Sequence, residues 1–264
     1  MTAAMKFIDA HTHTFLRGPE DLERMGNAGT VCAVVCAFLP VQPTCAGTLL
    51  DLFAWLDTVE RERLEKRGIR EILAVGIHPR CIPPAPDTAP VIERVKAMLQ
   101  SGRAGAVGEI GLEKGTDAER GILLEQLRLA AELSVPAVVH TPRTNKEAMV
   151  QETLRIIDES GIADELVILD HLTPAIVRAL DAKGRTFRMG LTLQPGKTTP
   201  EEVKALLDER GPERLHLDSD LSHMPSQPDA VAEAARRLAE LGAQRGDIEK
   251  LTFSNAASAL RAAL

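Results

Sequence analysis

Tyrosine is absent from the 264 residues, and tryptophan occurs once beside six phenylalanines. A chain so poor in rings lacks a stacking platform for single-stranded nucleic acid or sugars. An excess of basic charge is missing too. The formal net charge is −7, which argues against a broad nucleic-acid or anionic-membrane surface. Cysteine is sparse: Cys32, Cys36, Cys45 and Cys81 include no CxxC pair. Cys32 and Cys36 are spaced to share one face of a strand as small core residues, not as redox or metal groups. The longest apolar run, Val31–Leu39, is too short to span a bilayer, and no cleavable signal segment precedes Phe7. These absences predict a soluble protein of the reducing cytoplasm with no membrane partner, and make nucleic acid a weak choice of partner.

What is present is a regular alternation of apolar strands and amphipathic helices. With 44% hydrophobic and 26% charged residues, the chain has enough apolar material for a sizeable core. Strands are expected at Lys6–Thr12, Thr30–Phe38, Glu71–Ile77, Ala104–Ile110, Ala137–His140, Leu166–His171, Thr186–Leu193 and Arg214–Leu217, the last running on to Asp220. Between them lie helical patterns. Gly47–Arg67 carries Leu49, Leu50, Phe53, Leu56, Val59 and Leu64 at helical spacing. Others occur over Ala89–Gln100, Asp117–Leu133, Asn145–Glu159, Pro174–Ala182 and Asp229–Leu241, and a helical tail begins at Asp247. Thr199-Pro200-Glu201-Glu202 reads as a capping box with proline at the first helical position. Near-continuous apolar strands imply a parallel sheet buried on both faces. Eight strand–helix units with no linker or composition shift predict one α/β domain over residues 1–264, a TIM (β/α)8 barrel with a C-terminal helical tail.

Chemistry in such barrels collects at the C-terminal ends of strands. Those ends carry His11, His13, His78, Glu109, His140, His171 and Asp220, so five of the seven histidines fall there. His11 and His13 are one residue apart on a strand, point the same way at a pitch of about 6–7 Å, and can reach one ion. Imidazole and carboxylate donors without thiolate suit zinc first, with manganese or magnesium as alternatives. The donors outnumber what one ion takes from protein. Glu109, in the middle, is placed to bridge two ions, a pair that would lower the pKa of bound water and polarise the bond under attack.

The ordered motifs His11-Thr12-His13, Val107-Gly108-Glu109-Ile110-Gly111, Val138-Val139-His140-Thr141-Pro142-Arg143, Leu169-Asp170-His171 and Leu217-Asp218-Ser219-Asp220 resemble those of TatD-related metal-dependent hydrolases, within the amidohydrolase superfamily. The likeness extends to Val75-Gly76-Ile77-His78-Pro79 and to Asn255. It implies two divalent ions per chain. His11, His13 and Asp220 would hold one, His140 and His171 the other, with Glu109 shared. It further implies that Asp220 is the general base, that His78 is a pocket residue, and that the reaction hydrolyses a small ester, amide or phosphoester. The match is to a divergent branch. Glu113 stands where the family usually has aspartate, Arg143 follows His140 by three residues instead of two, and Asp220-Leu221-Ser222 replaces the usual Asp-Ser-Pro.

Outside these motifs, His216 reads as a hydrogen-bonded core histidine. His223 lies in the loop after the last strand, where substrate contact and plain exposure are equal readings. Asp170 and Asp218 can orient a histidine N–H or be ordinary strand-end residues. Gly196-Lys197-Thr198 is no phosphate loop, because Leu191 occupies the position of the required first glycine. Arg17, Arg80, Lys114, Arg143 and Lys197 come after strands on the pocket side, no more than chance supplies. Arg143 is the best of them for a small, anionic substrate. The rival readings are a metal-dependent isomerase or lyase, a TatD-like deoxyribonuclease, and a non-catalytic metabolite-binding barrel.

Overall fold

Phe7-Ile8-Asp9-Ala10-His11-Thr12 is buried along its whole length and forms the first strand of a parallel sheet. In the computed structural model, which describes residues 5–261, eight strands succeed one another in chain order. They are β1 (Phe7–Thr12), β2 (Thr30–Cys36), β3 (Arg70–Val75), β4 (Ala106–Gly111), β5 (Ala137–His140), β6 (Val167–Leu169), β7 (Arg188–Thr192) and β8 (Leu215–Asp218). Each pairs in parallel with the next. A bridge between Thr12 and Leu221 brings the last strand back to the first. It is reinforced by Asp220 N to His11 O at 3.0 Å and His13 N to Leu221 O at 2.7 Å. The result is a nearly closed (β/α)8 barrel, as the alternating pattern predicts.

Alternation along β2 shows how the core divides. Cys32, Val34 and Cys36 join Ile72, Ala74, Ala106, Val138 and Ile168 in a cluster lining the barrel interior. Ala33 and Val35 instead join the larger cluster that packs strands against helices. Cys32 and Cys36 are therefore small core residues, as expected, and all four cysteines are free. The tail contributes Ala256, Ala259 and Leu260 to the smaller cluster. Asn255 fixes it there by donating from Nδ2 to the carbonyls of Pro212 and Leu215, both at 2.7 Å.

Most helices lie where their pattern places them, and the capping box forms as read: Thr199 N donates to Glu202 Oε2 at 2.8 Å, and Glu202 N to Thr199 Oγ1 at 3.3 Å. Several strands are shorter than expected. β2 stops at Cys36, β3 at Val75 and β6 at Leu169, so His78 and His171 sit in the loops beyond. The helix after β2 also differs. It runs Ala46–Trp55, passes through a π turn at Leu56–Glu60 and resumes at Arg61–Glu65. A π turn adds a residue to the ladder and rotates the rest of the helix about its axis. Val59, expected on the apolar face, is 42% exposed, while Asp57 and Glu60 are buried. Arginines compensate: Arg61 donates to Asp57 at 2.9 Å, and Arg63 to Glu60. Among the described residues no helix is long and apolar enough to cross a membrane.

Candidate metal centre

The C-terminal mouth of the barrel gathers the side chains that the strand ends supply. His11 lies one residue before Thr12, the last of β1, and His13 precedes the short turn Thr14–Leu16. Each of their rings has its Nδ1 tied outward. His11 Nδ1 is 2.6 Å from Asp170 Oδ2, and His13 Nδ1 donates to the Cys36 carbonyl at 2.8 Å. Both Nε2 atoms consequently point inward, 3.2 Å apart. Two inward lone pairs at that separation repel unless a proton or a cation lies between them.

Glu109, on β4, reaches the centre of the group. Its Oε2 is 3.4 Å from His11 Nε2 and 3.5 Å from His13 Nε2. Its Oε1 is 2.9 Å from His140 Nδ1 and 3.3 Å from His171 Nε2. Each carboxylate oxygen thus faces one histidine pair. Asp220 closes the first group, with Oδ1 3.4 Å from His13 Nε2. His171 Nδ1 is turned away toward Thr192 Oγ1 at 2.8 Å. The six side chains predicted to converge do so.

The backbone is strained where it delivers two of them. His171 has φ 59° and Asp220 φ 43°, a left-handed conformation that non-glycine residues seldom hold without a structural reason. Two glycines make room. A Cβ on Gly190 would overlap the Asp170 carboxylate, which uses that space to meet His11. A Cβ on Gly111 would lie 2.6 Å from the His140 carbonyl, so glycine lets β4 seat Glu109 close against β5.

Electrostatics keep the carboxylates ionised. Burial by itself would raise Glu109, but the surrounding imidazoles of His11, His78 and His140 hold it well below the usual carboxylate range. Burial likewise opposes ionisation of Asp220; the neighbouring His13 ring and the Lys197 charge overcome it. His171 is lowered to about 4 by burial and then by Lys197, so it stays neutral. His11 and His140 are raised, against burial, by Glu109 and other neighbouring groups. A divalent cation would therefore bind there by displacing protons, whereas the ionised carboxylates are already in the state it requires. The donor set fits an ion of the zinc or manganese type.

His78 is within reach, with Nε2 3.7 Å from Glu109 Oε1, but its Nδ1 accepts a hydrogen bond from Arg80 N at 3.0 Å. Burial lowers its pKa well below the ordinary value. A neutral ring accepting at Nδ1 carries its proton on Nε2, so that atom offers no lone pair to a metal. His78 lies in the lining of the cavity above the cluster.

Above the cluster opens a cavity of about 750 Å³. Arg80, Arg143, Lys146, Lys197 and the exposed His223 line it. Lys197 Nζ bonds Asp220 Oδ2 at 2.7 Å and lies 3.2 Å from His171 Nδ1. Arg143 donates to Gln194 Oε1 at 2.6 Å. Arg17 turns elsewhere, pairing with Asp21 at 2.7 Å and the Ser222 carbonyl at 3.0 Å, and Lys114 is not in the lining.

Two residues escaped sequence reasoning. Lys146 donates to the carbonyls of Thr141 and His171 at 3.1 and 2.8 Å, and burial, then Lys197, lowers it to about 8. Glu113, noticed only as a departure from the family pattern, accepts from His140 Nε2 at 3.1 Å. Their positions shortly after β4 and β5, Lys146 at the start of the helix Lys146–Ser160, were the available signal. One expectation is corrected. His216 is fully buried but not hydrogen-bonded: neither ring nitrogen has a protein partner, and both oxygens of the buried Asp218 carboxylate are unpartnered as well. Both side chains face the crowded polar layer beneath the cluster, where Asp170 is already committed to His11 and His171 N.

A parallel barrel with imidazoles and carboxylates gathered at its strand ends is the layout of a barrel hydrolase. A family model described as TatD related DNase matches residues 8–261. An uncharacterised metal-dependent hydrolase of Methanocaldococcus jannaschii is 32% identical over 249 residues, 94% of this chain and 97% of that protein. The crystal structure of a TatD-like protein from Archaeoglobus fulgidus superposes with a TM-score of 0.80 at 31% identity, covering 97% of this chain and all of that one. The phosphotriesterase homology protein of Escherichia coli, solved with phosphate in its active site, gives 0.70 over 97% of this chain and 99% of its own; at 14% identity that likeness concerns the fold. The chain belongs to the TatD-related family, and it is a hydrolase.

Proposed function

We propose that the chain, acting as one domain over residues 1–264 in the reducing cytoplasm, is a dinuclear metal-dependent hydrolase of a small anionic phosphoester, with an ester or amide as the neighbouring substrate classes. The observation that carries the reading is the division of Glu109: Oε2 faces His11 and His13, and Oε1 faces His140 and His171. On this reading His11, His13 and Asp220 would hold one ion, His140 and His171 the other, and Glu109 would contact both. Zinc is preferred, with manganese or magnesium as alternatives. When bound, such a pair supplies a water nucleophile at neutral pH and Lewis-acid polarisation of the substrate.

The chain's own groups do the rest. Asp220, held ionised, accepts the proton of the attacking water. Lys197, at 2.7 Å from Asp220 Oδ2, fixes that carboxylate in place. Arg143, His78 and His223 contact the substrate from the cavity wall. Arg80, which among the described residues no carboxylate pairs in the cavity lining it shares with Glu113, Glu147 and Glu202, and Arg143, held only by the neutral Gln194 amide, support an anionic group over a neutral amide. DNase activity, which the description of the matching family carries, is the second reading. It is supported by the same cations and opposed by the net charge of −7.

The experiment is metal content per chain on protein purified without chelator, beside Glu109→Ala, together with a hydrolase screen of phosphomonoesters, phosphodiesters and DNA. About two ions, falling in the variant, is the expected result. No ion after reconstitution with zinc or manganese would sink the reading and leave a metabolite-binding barrel. Products without oxygen from ¹⁸O-labelled water would turn it toward an isomerase or lyase.

A further inference from the structure

Three of the four inward-facing imidazoles have the remote nitrogen tied to a buried acceptor or hydroxyl: His11 to Asp170, His13 to the Cys36 carbonyl and His171 to Thr192. The fourth, His140, sits at the edge of the cavity with its Nδ1 toward Glu109 and its Nε2 toward Glu113 Oε2 at 3.1 Å. We propose that Glu113 is a positioning residue. By accepting the Nε2 proton it fixes the tautomer and ring orientation of His140, so that Nδ1 presents its lone pair to the ion shared with His171. This rests on the dinuclear reading above.

The position of Glu113 is itself built. Glu119, at the start of the helix Asp117–Leu133 and buried, accepts with one oxygen, Oε2, the backbone N–H groups of Glu113, Lys114 and Gly115 at 2.8, 2.9 and 2.8 Å. The Glu119 N–H in turn bonds Thr116 Oγ1 at 3.2 Å. A carboxylate accepting three backbone donors is a strong clamp. It holds the loop after β4 as a rigid bracket, and Glu113 extends from it to His140. A solvent-exposed acid in a free loop would have to order itself for each contact, at a cost in side-chain entropy. This one is pre-set. The pairing also leaves Glu113 exposed enough, at 27% of its side chain, for a truncation to be tolerated by the fold.

The test is a zinc titration of the metal-free full-length protein against a chelating indicator, which reads stoichiometry and the affinity of each ion without reference to activity. The variants are Glu113→Ala, Glu113→Gln and, as the reference for losing that half of the site, His140→Ala. Wild type should take two ions. Glu113→Ala should leave the tighter ion unchanged and weaken the other by about 10- to 100-fold, the usual effect of losing a histidine's outer partner. Glu113→Gln, whose amide oxygen still accepts from Nε2, should recover part of that loss. Two ions at wild-type affinity in Glu113→Ala would overturn the proposal alone. Equal weakening of both ions would overturn it in favour of a general structural role. A wild-type chain that takes a single ion would overturn the dinuclear reading and the proposal with it.

Discussion

His11 and Asp170, 159 residues apart, are joined by a 2.6 Å bond from Nδ1 to Oδ2 between two side chains with no exposure. Burial opposes the charge on Asp170, but the neighbouring His171 and His11 rings and this hydrogen bond hold its carboxyl well below the ordinary range. The ionised oxygen keeps the His11 proton on Nδ1 and leaves Nε2 free to face Glu109. Asp170→Asn retains an acceptor and the side-chain shape but loses the charge that raises the basicity of the ring. The ion assigned to His11 and His13 should bind about tenfold more weakly or worse, read by chelator competition. Unchanged affinity would mean that Asp170 merely fills the space over Gly190.

Far from the mouth, at the start of β3, a buried carboxyl should make stability depend on pH. Burial, aided by the nearby Glu60 and only partly offset by Arg61, raises Glu71 from 4.5 to about 8. Its Oε2 accepts from Arg61 Nε at 3.1 Å, while Oε1 is buried with no protein partner. The ion pair would argue for a charged group, but burial prevails because Arg61 reaches one oxygen and is itself about a third exposed. The sign comes from linkage. The folded state holds the proton more tightly than the unfolded chain, so the contribution is full below about 4.5 and is lost as pH rises toward about 8. Urea unfolding at pH 5 and pH 8.5 should show a decline in stability, on the order of 1–3 kcal/mol from this group. Glu71→Gln, which keeps an acceptor for Arg61, should flatten it. An equal decline in the variant would place the titrating group elsewhere.

Much of this was legible because barrel strands impose position. A period of two puts His11 and His13 on one side, and parallel strands bring every C-terminal end to one mouth, so Glu109, His140, His171 and Asp220 had to meet there. What the residue pattern did not disclose depends on contacts between distant loops. Asp170 and Asp218 could each orient a histidine or be an ordinary strand-end residue, and folding brings only Asp170 against His11, while both oxygens of Asp218 stay unpartnered. Lys146 and Glu113 carry no motif; each acquires its role from a neighbour that folding supplies. Val59 misled because a single π turn breaks the 3.6-residue count on which its assignment to the apolar face rested. His216 misled for a different reason: burial normally comes with a hydrogen bond, and here the nearby acceptor is already used by His11.

Lys197 provides the sharpest test of the electrostatics at the mouth, because its effect on metal binding should be opposite to that of losing any donor. Its ammonium sits 2.7 Å from Asp220 Oδ2 and 3.2 Å from His171 Nδ1, so it stabilises the ionised carboxylate while placing a positive charge beside any cation that Asp220 would hold. Unit charges 4 Å apart interact by about 4 kcal/mol at an effective dielectric of about 20. Even a well-screened share of roughly 1 kcal/mol is about a fivefold change in affinity. Lys197→Met keeps the stem and removes the charge. It should therefore tighten zinc binding several-fold while lowering turnover, since Asp220 loses the contact that orients it. Weaker binding in this variant would instead show that the ordering of Asp220 matters more to the ion than the removal of a competing charge.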